Sequence, residues 1–89
     1  MKKIIQGRVF DSDVSDLIGV ADFRASSQGW WEAGLYVTPQ SRRFFLAGEG
    51  GIMSRWRGKE GIVELSKEEA CAWIEEYLGK VEDYLKENA

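Results

Sequence analysis

The chain has 89 residues, of which 44% are hydrophobic and 12% aromatic, and its formal net charge is −3. This length and composition are typical of one globular domain spanning residues 1–89, and they exclude a disordered chain, which has few aromatic residues and a high net charge. Histidine is absent and Cys71 is the single cysteine. The sequence therefore excludes a Ser-His or Cys-His catalytic pair, a zinc site built from histidine or from several cysteines, and an intrachain disulfide.

No other motif in the chain indicates a metal or a cofactor. A site made of carboxylates alone for magnesium or calcium stays open, but no EF-hand spacing is present. The basic N-terminus is followed by only Ile4 and Ile5 before polar Gln6, and no run approaches the roughly 20 apolar residues of a membrane span. We expect a soluble cytoplasmic protein without a cofactor.

The first third of the chain predicts one strand and one short helix. Residues 3–10 are predicted to form a strand that Gly7 interrupts with a bulge or a turn. Residues 11–13 then supply capping side chains for a helix, whose apolar residues at helical spacing are Val14, Leu17, Ile18 and Ala21. The carboxylates of Asp11, Asp13 and Asp16 are read as caps and solvated groups, with a cation site as the alternative.

Residues 35–56 are predicted to be the central hairpin of a sheet. Strands over 30–38 and 43–47 flank a turn at 39–41, because proline does not fit a central strand. Phe44 and Phe45 must point to opposite faces, so one ring is either covered by a second layer or exposed. The glycine-rich run 48–51 is predicted to be a turn that needs positive φ; it lacks the Gly-Lys-Ser/Thr of a phosphate-binding loop.

A basic cluster around an aromatic ring follows the glycine run. Together with Arg42 and Arg43 it is a candidate nucleic-acid patch, which would grip phosphates and stack a base on the ring. The alternative is a solvated loop on an acidic protein. The patch consists of Arg42, Arg43, Arg55, Trp56, Arg57 and Lys59.

The C-terminal segment carries the strongest helix signal, after a short strand predicted over 62–65. Ser66 and Glu69 form the S-x-x-E pattern of a capping box. An apolar stripe extends from Ala70 to Leu85 at helical spacing, with Trp73 and Ile74 as the predicted contacts with the hairpin. Gly79 interrupts this helix at a cost of about 1 kcal/mol, so the helix is expected to bend or fray beyond it.

Acidic pairs recur every seven residues along this helix. Seven residues are nearly two turns, so the pairs would share one face at intervals of roughly 10 Å. The segment from Ser66 onward has seven acids and three lysines, a net charge of −4, against +1 for the rest of the chain. Such a ridge could imitate a nucleic-acid backbone and occupy a basic groove of a partner, although a solvated helix face is the simpler alternative. The predicted partner-binding residues are Glu68, Glu69, Glu75, Glu76, Glu82 and Asp83.

Three segments resemble small proteins of bacteriophages and other mobile elements. They are Leu-Tyr-x-Thr at 35–38, Phe-Phe-Leu-Ala-Gly-Glu-Gly-Gly at 44–51, and Leu-Ser-x-Glu-Glu-Ala-x-x-Trp at 65–73. The resemblance covers less than half of the chain and implies no site residues. It implies a setting in a bacterial host cell, where such proteins often bind and block a host protein, as anti-CRISPR proteins do.

These observations predict an α+β fold in the order β-α-β-β-β-α: an antiparallel sheet of three or four strands, a short N-terminal helix and a long acidic C-terminal helix on one face. The predicted function is that of a non-enzymatic, anti-CRISPR-like inhibitor, a monomer or a homodimer, that binds a host complex such as a CRISPR effector subunit through the acidic helix. Two alternatives are nucleic-acid binding through the basic patch and a homodimeric structural protein. A third, an enzyme using Glu49, lacks a base paired with a nucleophile in the sequence.

Overall fold

The computed structural model of the chain describes residues 1–24 and 26–85, which form two sheets and two helices. The elements in chain order are β1 (Lys2–Ile5), β2 (Arg8–Asp11), β3 (Asp16–Phe23), β4 (Trp31–Val37), β5 (Phe44–Gly50), β6 (Glu60–Leu65), α1 (Lys67–Tyr77) and α2 (Val81–Tyr84). Strands β1 and β2 pair with each other, and β3 to β6 form a four-stranded antiparallel sheet in sequence order. The fold is therefore α+β, as predicted.

Residues 3–10, which were predicted to form one strand, belong to a hairpin of two strands. Gln6 and Gly7 have φ angles of 51° and 78°, and β1 pairs with β2 on either side of them. Two consecutive residues with positive φ are typical of a type I′ turn, whose twist matches that of the flanking strands. The prediction of a turn at Gly7 is confirmed, and residues 3–10 contain two short strands.

The prediction of an N-terminal helix is wrong, because Val14 lies in a turn and the segment from Asp16 onward forms β3. This strand pairs with β4 from Asp16↔Val37 to Phe23↔Trp31, with a bulge between Leu17 and Gly19. Asp11 does not cap a helix; its carboxylate accepts a hydrogen bond from the Asp13 N–H at 3.0 Å and shapes the turn between β2 and β3. The β-branched residues of this segment and its ladder to β4 outweigh the helical spacing of the apolar residues.

The central hairpin is confirmed and lies in the middle of the sheet. Leu35 of β4 pairs with Leu46 of β5, and Val37 pairs with Phe44 next to the turn. Thr38 closes the turn, because its N–H donates to the Arg43 carbonyl at 2.9 Å and its hydroxyl accepts from the Arg43 N–H at 2.9 Å. The predicted strand over 62–65 is also found, as part of β6, which pairs with β5.

The prediction that the glycine-rich run is a turn with positive φ is wrong. Gly48 and Gly50 belong to β5, and neither they nor Gly51 have positive φ. These glycines are required by close packing. A Cβ atom on Gly48 would collide with the Glu32 carbonyl oxygen and lie 2.7 Å from the Ala33 Cβ, so only a residue without a side chain fits there.

The four-stranded sheet is covered on both faces. Helix α1 covers one face, where its Trp73 and Ile74 pack in a cluster with Leu35 and Leu46, as predicted for these two residues. Phe45 points to the opposite face, where Phe10 of the hairpin covers it edge-on, with ring centroids 5.4 Å apart. Of the two alternatives for the ring that leaves the α1 face, coverage by a second layer is the one found, and that layer is the β1–β2 hairpin.

The C-terminal helix begins as predicted and ends earlier. The Ser66 hydroxyl accepts from the Glu69 N–H, and the Glu69 carboxylate accepts from the Ser66 N–H at 2.8 Å, which completes the capping box. Gly79, with φ of 142°, separates α1 from the single turn α2. Among the described residues there is therefore no long C-terminal helix, and the predicted one is corrected to two short helices.

Candidate partner-binding surface

Four of the six predicted partner-binding carboxylates lie on α1. They form two columns, because a helix turns almost two full times in seven residues and the members of a column are roughly 10 Å apart. We name them the outer column, Glu68 and Glu75, and the inner column, Glu69 and Glu76. All four side chains are exposed. The structure therefore presents a negative surface along α1, as the periodicity predicted for this part of the chain.

The inner column begins with the capping residue. The Ser66 N–H, and after it the Ser66 hydroxyl, hold the pKa of the Glu69 carboxyl below its usual value of 4.5, and the charge of Arg55 acts in the same direction. Glu69 is therefore ionised at neutral pH and has a structural role at the helix start. This role is separate from the predicted contact with a partner.

Glu76 lies beside a cluster of aromatic rings. Burial raises the pKa of Tyr77, and the neighbouring Glu76 carboxylate raises it further. The Tyr77 ring contacts Trp31 of β4, with centroids 5.0 Å apart, and Trp73 of α1, at 5.2 Å. The inner column therefore borders an aromatic surface, which the sequence analysis did not anticipate.

The remaining two carboxylates are displaced from these columns. Glu82 and Asp83 lie on α2, after the break at Gly79. Asp83 lines a separate cavity of about 700 Å³ beside Asp16 and Arg42. The predicted ridge of six carboxylates on one continuous helix is therefore corrected to four on α1 and two on α2. Lys86 and Glu87, which entered the charge count, lie outside the described residues.

The salt bridges of the described residues do not include any of the six carboxylates. They join other groups: Arg24 pairs with Asp22 at 3.1 Å and with Glu32 at 2.9 Å, and Arg43 pairs with Glu64 at 3.1 Å. A carboxylate outside an ion pair keeps its charge available to an incoming cation. The acidic surface of α1 is thus not neutralised by the salt bridges that the described residues form, although the charge of Arg55 acts on Glu69.

The predicted basic patch does not assemble as one surface. Arg42 and Arg43 precede β5, whereas residues 55–59 follow its other end, so a seven-residue strand separates the two groups. Arg42 is 3.4 Å from Asp16, and Arg43 is paired with Glu64. Trp56 is only 7% exposed and belongs to the core cluster under α1, which removes the ring that was expected to stack on a base.

A groove beside the inner column was missed by the sequence analysis. It has a volume of about 710 Å³ and lies between α1, the start of β4 and the loop after β5. We name it the aromatic groove and define it by Phe23, Trp31, Met53, Trp73, Tyr77 and Glu76, with Arg55 and Glu69 also on its lining. The i, i+4 spacing of Trp73 and Tyr77 was a usable signal, but Phe23 and Met53 reach the groove only through the tertiary fold.

The candidate enzyme residue Glu49 lies in an exposed row of acids. In β5 it is paired across the sheet with Glu32 of β4 and with Glu60 of β6. Within residues 1–24 and 26–85, no group of three or more Cys, Asp or Glu side chains has a geometry that could hold a metal ion. Arg24 neutralises Glu32 at one end of the row, which reduces repulsion between like charges on neighbouring strands.

None of the helices in residues 1–24 and 26–85 is long and apolar enough to cross a membrane. Comparisons of the chain with protein-family models, with curated proteins and with solved structures found no match.

Proposed function

We propose that this chain is a non-enzymatic interaction protein that binds a basic groove of a partner through the acidic surface of α1. The observation that carries the proposal is the set of four exposed carboxylates on α1, none of which forms an ion pair within the described residues. Of the four, Glu69 also caps the helix. Within residues 1–24 and 26–85, the side chains of the outer column, Glu68 and Glu75, form no hydrogen bond or ion pair that would explain them as part of the fold.

The spacing of the charges suits a partner that ordinarily holds nucleic acid. Two columns of negative charge with intervals of roughly 10 Å present an extended anionic surface, and complementary charge accelerates association with a positive groove. On α2, Glu82 and Asp83 extend the negative charge beyond the helix break. Direct binding of nucleic acid to this surface is disfavoured because phosphates are repelled by it.

The finer proposal is an anti-CRISPR-like inhibitor. It rests on the resemblance of residues 35–38, 44–51 and 65–73 to small phage proteins, together with the acidic surface. In this proposal, the protein occupies the nucleic-acid groove of a CRISPR effector subunit or of another nucleic-acid-handling complex in a bacterial host. Occupation of that groove would exclude its guide or target strand by direct competition.

The test compares charge reversals on two surfaces of the same protein. Glu68→Lys with Glu75→Lys reverses the outer column, and Glu49→Lys with Glu60→Lys makes the same change in net charge on exposed residues of the sheet. Tagged protein is used to capture partners from bacterial lysate, and each identified partner is then purified and titrated with duplex DNA or RNA as competitor. We expect capture of a nucleic-acid-binding protein that nucleic acid displaces, at least tenfold weaker binding by the outer-column variant, and no change in the sheet variant.

Equal binding by the two variants would remove the acidic surface from the mechanism. A captured partner that binds this protein and nucleic acid simultaneously would refute competition for one groove. For the anti-CRISPR form, the protein is expressed in cells with an active CRISPR system, and restored uptake of a targeted plasmid is measured. Restoration that persists in the outer-column variant would contradict that form of the proposal.

A homodimer is a second candidate, which one observation favours. Leu17 and Val20 of the edge strand β3 are 54% and 65% exposed, next to the part of the sheet that the hairpin covers. An apolar edge strand is a common surface for pairing with another chain. Sedimentation equilibrium of the wild type and of Val20→Lys is the direct measurement, and a monomeric wild type at about 100 μM would reject this candidate.

A further inference from the structure

The aromatic groove concentrates exposed apolar surface in one place. Phe23 is 46% exposed, Met53 is 73% exposed and Tyr77 is 41% exposed, and all three line the same cavity. Single exposed apolar residues need no explanation, but several around one concave surface are typical of a binding site. The groove also contains half-buried Trp31 and buried Trp73, and tryptophan and tyrosine are the residue types that most often anchor partners.

The walls of the groove are rigid. Tyr77 meets Trp31 edge-on, at an interplanar angle of 82°, and contacts Trp73 at 54°. Trp73 is fixed in the core under α1, and Trp31 lies in β4 opposite Gly50. A rigid aromatic wall loses little conformational freedom when a ligand binds. Met53, in contrast, lies in the exposed loop after β5 and can adapt its side chain to different ligands.

The charges at the groove favour a cation. Glu69 and Glu76 of the inner column face it from α1, and among the described residues Arg55 is the one basic side chain on its lining. Arg55 is held over the Trp56 ring, 5.8 Å from its centroid. Two carboxylates against one guanidinium leave the groove with a net negative charge beside exposed aromatic faces. This combination attracts a cation that can also stack on a ring.

We infer that the aromatic groove binds a peptide segment of the partner that carries an arginine next to an apolar side chain. The inference deepens the proposed function and rests on it for the identity of the partner. The planar guanidinium stacks on tryptophan or tyrosine and pairs with a carboxylate in the same pose, which an ammonium group does less well. The neighbouring apolar side chain is expected to cover Phe23 and Met53.

Trp56 gives the groove a hydrogen-bond donor that has no partner among the described residues. Trp56 lines the groove, and its buried indole N–H has no hydrogen-bond acceptor among the described residues. A buried donor without an acceptor is unfavourable, and carbonyl oxygens of a bound peptide are acceptors of the kind that is missing. A purely hydrocarbon ligand would leave this donor unsatisfied.

The test uses the isolated protein and three synthetic peptides. Each is an acetylated and amidated pentapeptide with two leucines on each side of a central residue, which is arginine, its neutral analogue citrulline, or glutamate. Binding is followed by NMR of the side chains of the four tryptophans and of Tyr77. We expect the arginine peptide to shift the Trp73 and Tyr77 signals, with a Kd at least about fivefold lower than that of the citrulline peptide, and the glutamate peptide to bind most weakly.

Matched variants locate the site. Glu69→Gln with Glu76→Gln removes the inner charges while glutamine still provides a capping-box acceptor, and we expect it to abolish the preference for arginine over citrulline. Glu68→Gln with Glu75→Gln makes the same change in charge on the outer column, and the preference should persist. Met53→Ser, at an exposed position, should weaken binding of the arginine peptide and of the citrulline peptide to a similar extent.

Equal affinity for the three peptides, or shifts confined to residues outside the groove, would overturn the inference. So would an arginine preference that the outer-column variant loses and the inner-column variant keeps. These outcomes can be distinguished from failure of the proposed function, because the peptide titration contains no partner protein and the outer column lies outside the groove. If the peptides do not bind but outer-column reversal still abolishes capture, only the groove assignment is wrong.

Discussion

Phe10→Ala should detach the N-terminal hairpin from the four-stranded sheet. Phe10 has no exposed surface, and its ring contacts Phe45 edge-on with centroids 5.4 Å apart. On the other side Phe45 stacks on Tyr36, at 5.3 Å and 14°. Removing the Phe10 ring therefore opens a cavity against Phe45 and eliminates the hairpin's fully buried contact with this face, leaving the contact of Ile5.

The expected cost follows from burial and from the ring contact. Truncating a buried phenylalanine to alanine costs about 3–5 kcal/mol, of which about 0.5–1.5 kcal/mol belongs to an aromatic pair. A chain of this length has a total stability of about 4–13 kcal/mol. Because β1 and β2 form a sheet of their own, part of the cost can be relieved by release of the hairpin without unfolding of β3 to β6.

Two measurements separate release of the hairpin from global unfolding. The four tryptophans lie at positions 30, 31, 56 and 73, so their fluorescence in urea reports the four-stranded sheet and α1. Amide hydrogen exchange in β1 and β2 reports the hairpin. We expect a large loss of protection in β1 and β2, and a smaller loss of stability by fluorescence. Val9→Ala, at a 52% exposed position of the same hairpin, is the control and should change stability by less than about 0.5 kcal/mol.

A Phe10→Ala protein that loses less than about 1 kcal/mol by fluorescence and keeps full protection in β1 and β2 would refute this reasoning. That result would mean that the hairpin is held by something other than the Phe10–Phe45 contact. A Val9→Ala protein as unstable as the Phe10 variant would equally refute it, because the effect would then arise within the hairpin and not from its docking.

Three further predictions concern local features of the fold. Gly48→Ala should destabilise the protein by about 1–3 kcal/mol in urea unfolding, because its Cβ would lie 2.7 Å from the Ala33 Cβ, and a neutral effect would contradict the close-packing explanation. Ser66→Ala should cost about 1 kcal/mol in thermal unfolding through loss of the N-cap, and an unchanged Tm would contradict the capping box. The lowered pKa of Glu69 means that its stabilising contribution is complete above its usual value of 4.5 and is lost as the pH falls through the lowered pKa. The Tm should therefore fall more steeply below about pH 4.5 in the wild type than in Glu69→Gln, and parallel curves would assign the acid sensitivity to other groups.

Sequence patterns predicted the elements whose signals are local. The capping box needs only Ser66 and Glu69, and the turn at Gly7 needs only two adjacent residues that tolerate positive φ. The central hairpin is marked by Pro39 between two apolar runs. In each case the interaction that forms the element joins residues close together in the sequence, so the local pattern contains the signal.

Strand β3 could not be predicted in the same way because its period is broken. Val14, Leu17, Ile18 and Ala21 match helical spacing, and the bulge between Leu17 and Gly19 conceals the alternation of a strand. The Leu78 side chain fills the space where a Gly19 Cβ would lie, 2.7 Å from its Cδ1 atom, which is a contact with a residue nearly sixty positions away. The choice between helix and strand was therefore made by β4 and by Leu78 at the end of α1, which the local pattern does not contain.

The candidate site was predicted only as far as the helix that carries it. The seven-residue period identified both columns on α1. The helix breaks at Gly79, whose φ is positive, so Glu82 does not continue either column. The aromatic groove required knowledge that Phe23 of β3 and Met53 of the β5–β6 loop approach Tyr77. Those contacts join three distant parts of the chain, and no period or spacing within one segment indicates them.

The side chains of α1 have different roles, and these roles are the reason that we propose a binding function for its charges. The buried side of the helix supplies Trp73 and Ile74 to the core, and Glu69 alone among its four column carboxylates holds the helix start. Glu68 lies in the first turn of α1, where the helix dipole favours negative charge, whereas Glu75 lies in the last turn, where the dipole disfavours it. Neither side chain forms an ion pair within the described part of the chain, and the proposed cationic partner would account for both charges. Because the two effects on the helix oppose each other, Glu68→Gln with Glu75→Gln should leave stability nearly unchanged while weakening binding of the partner, and a clear loss of stability would return these residues to a structural role.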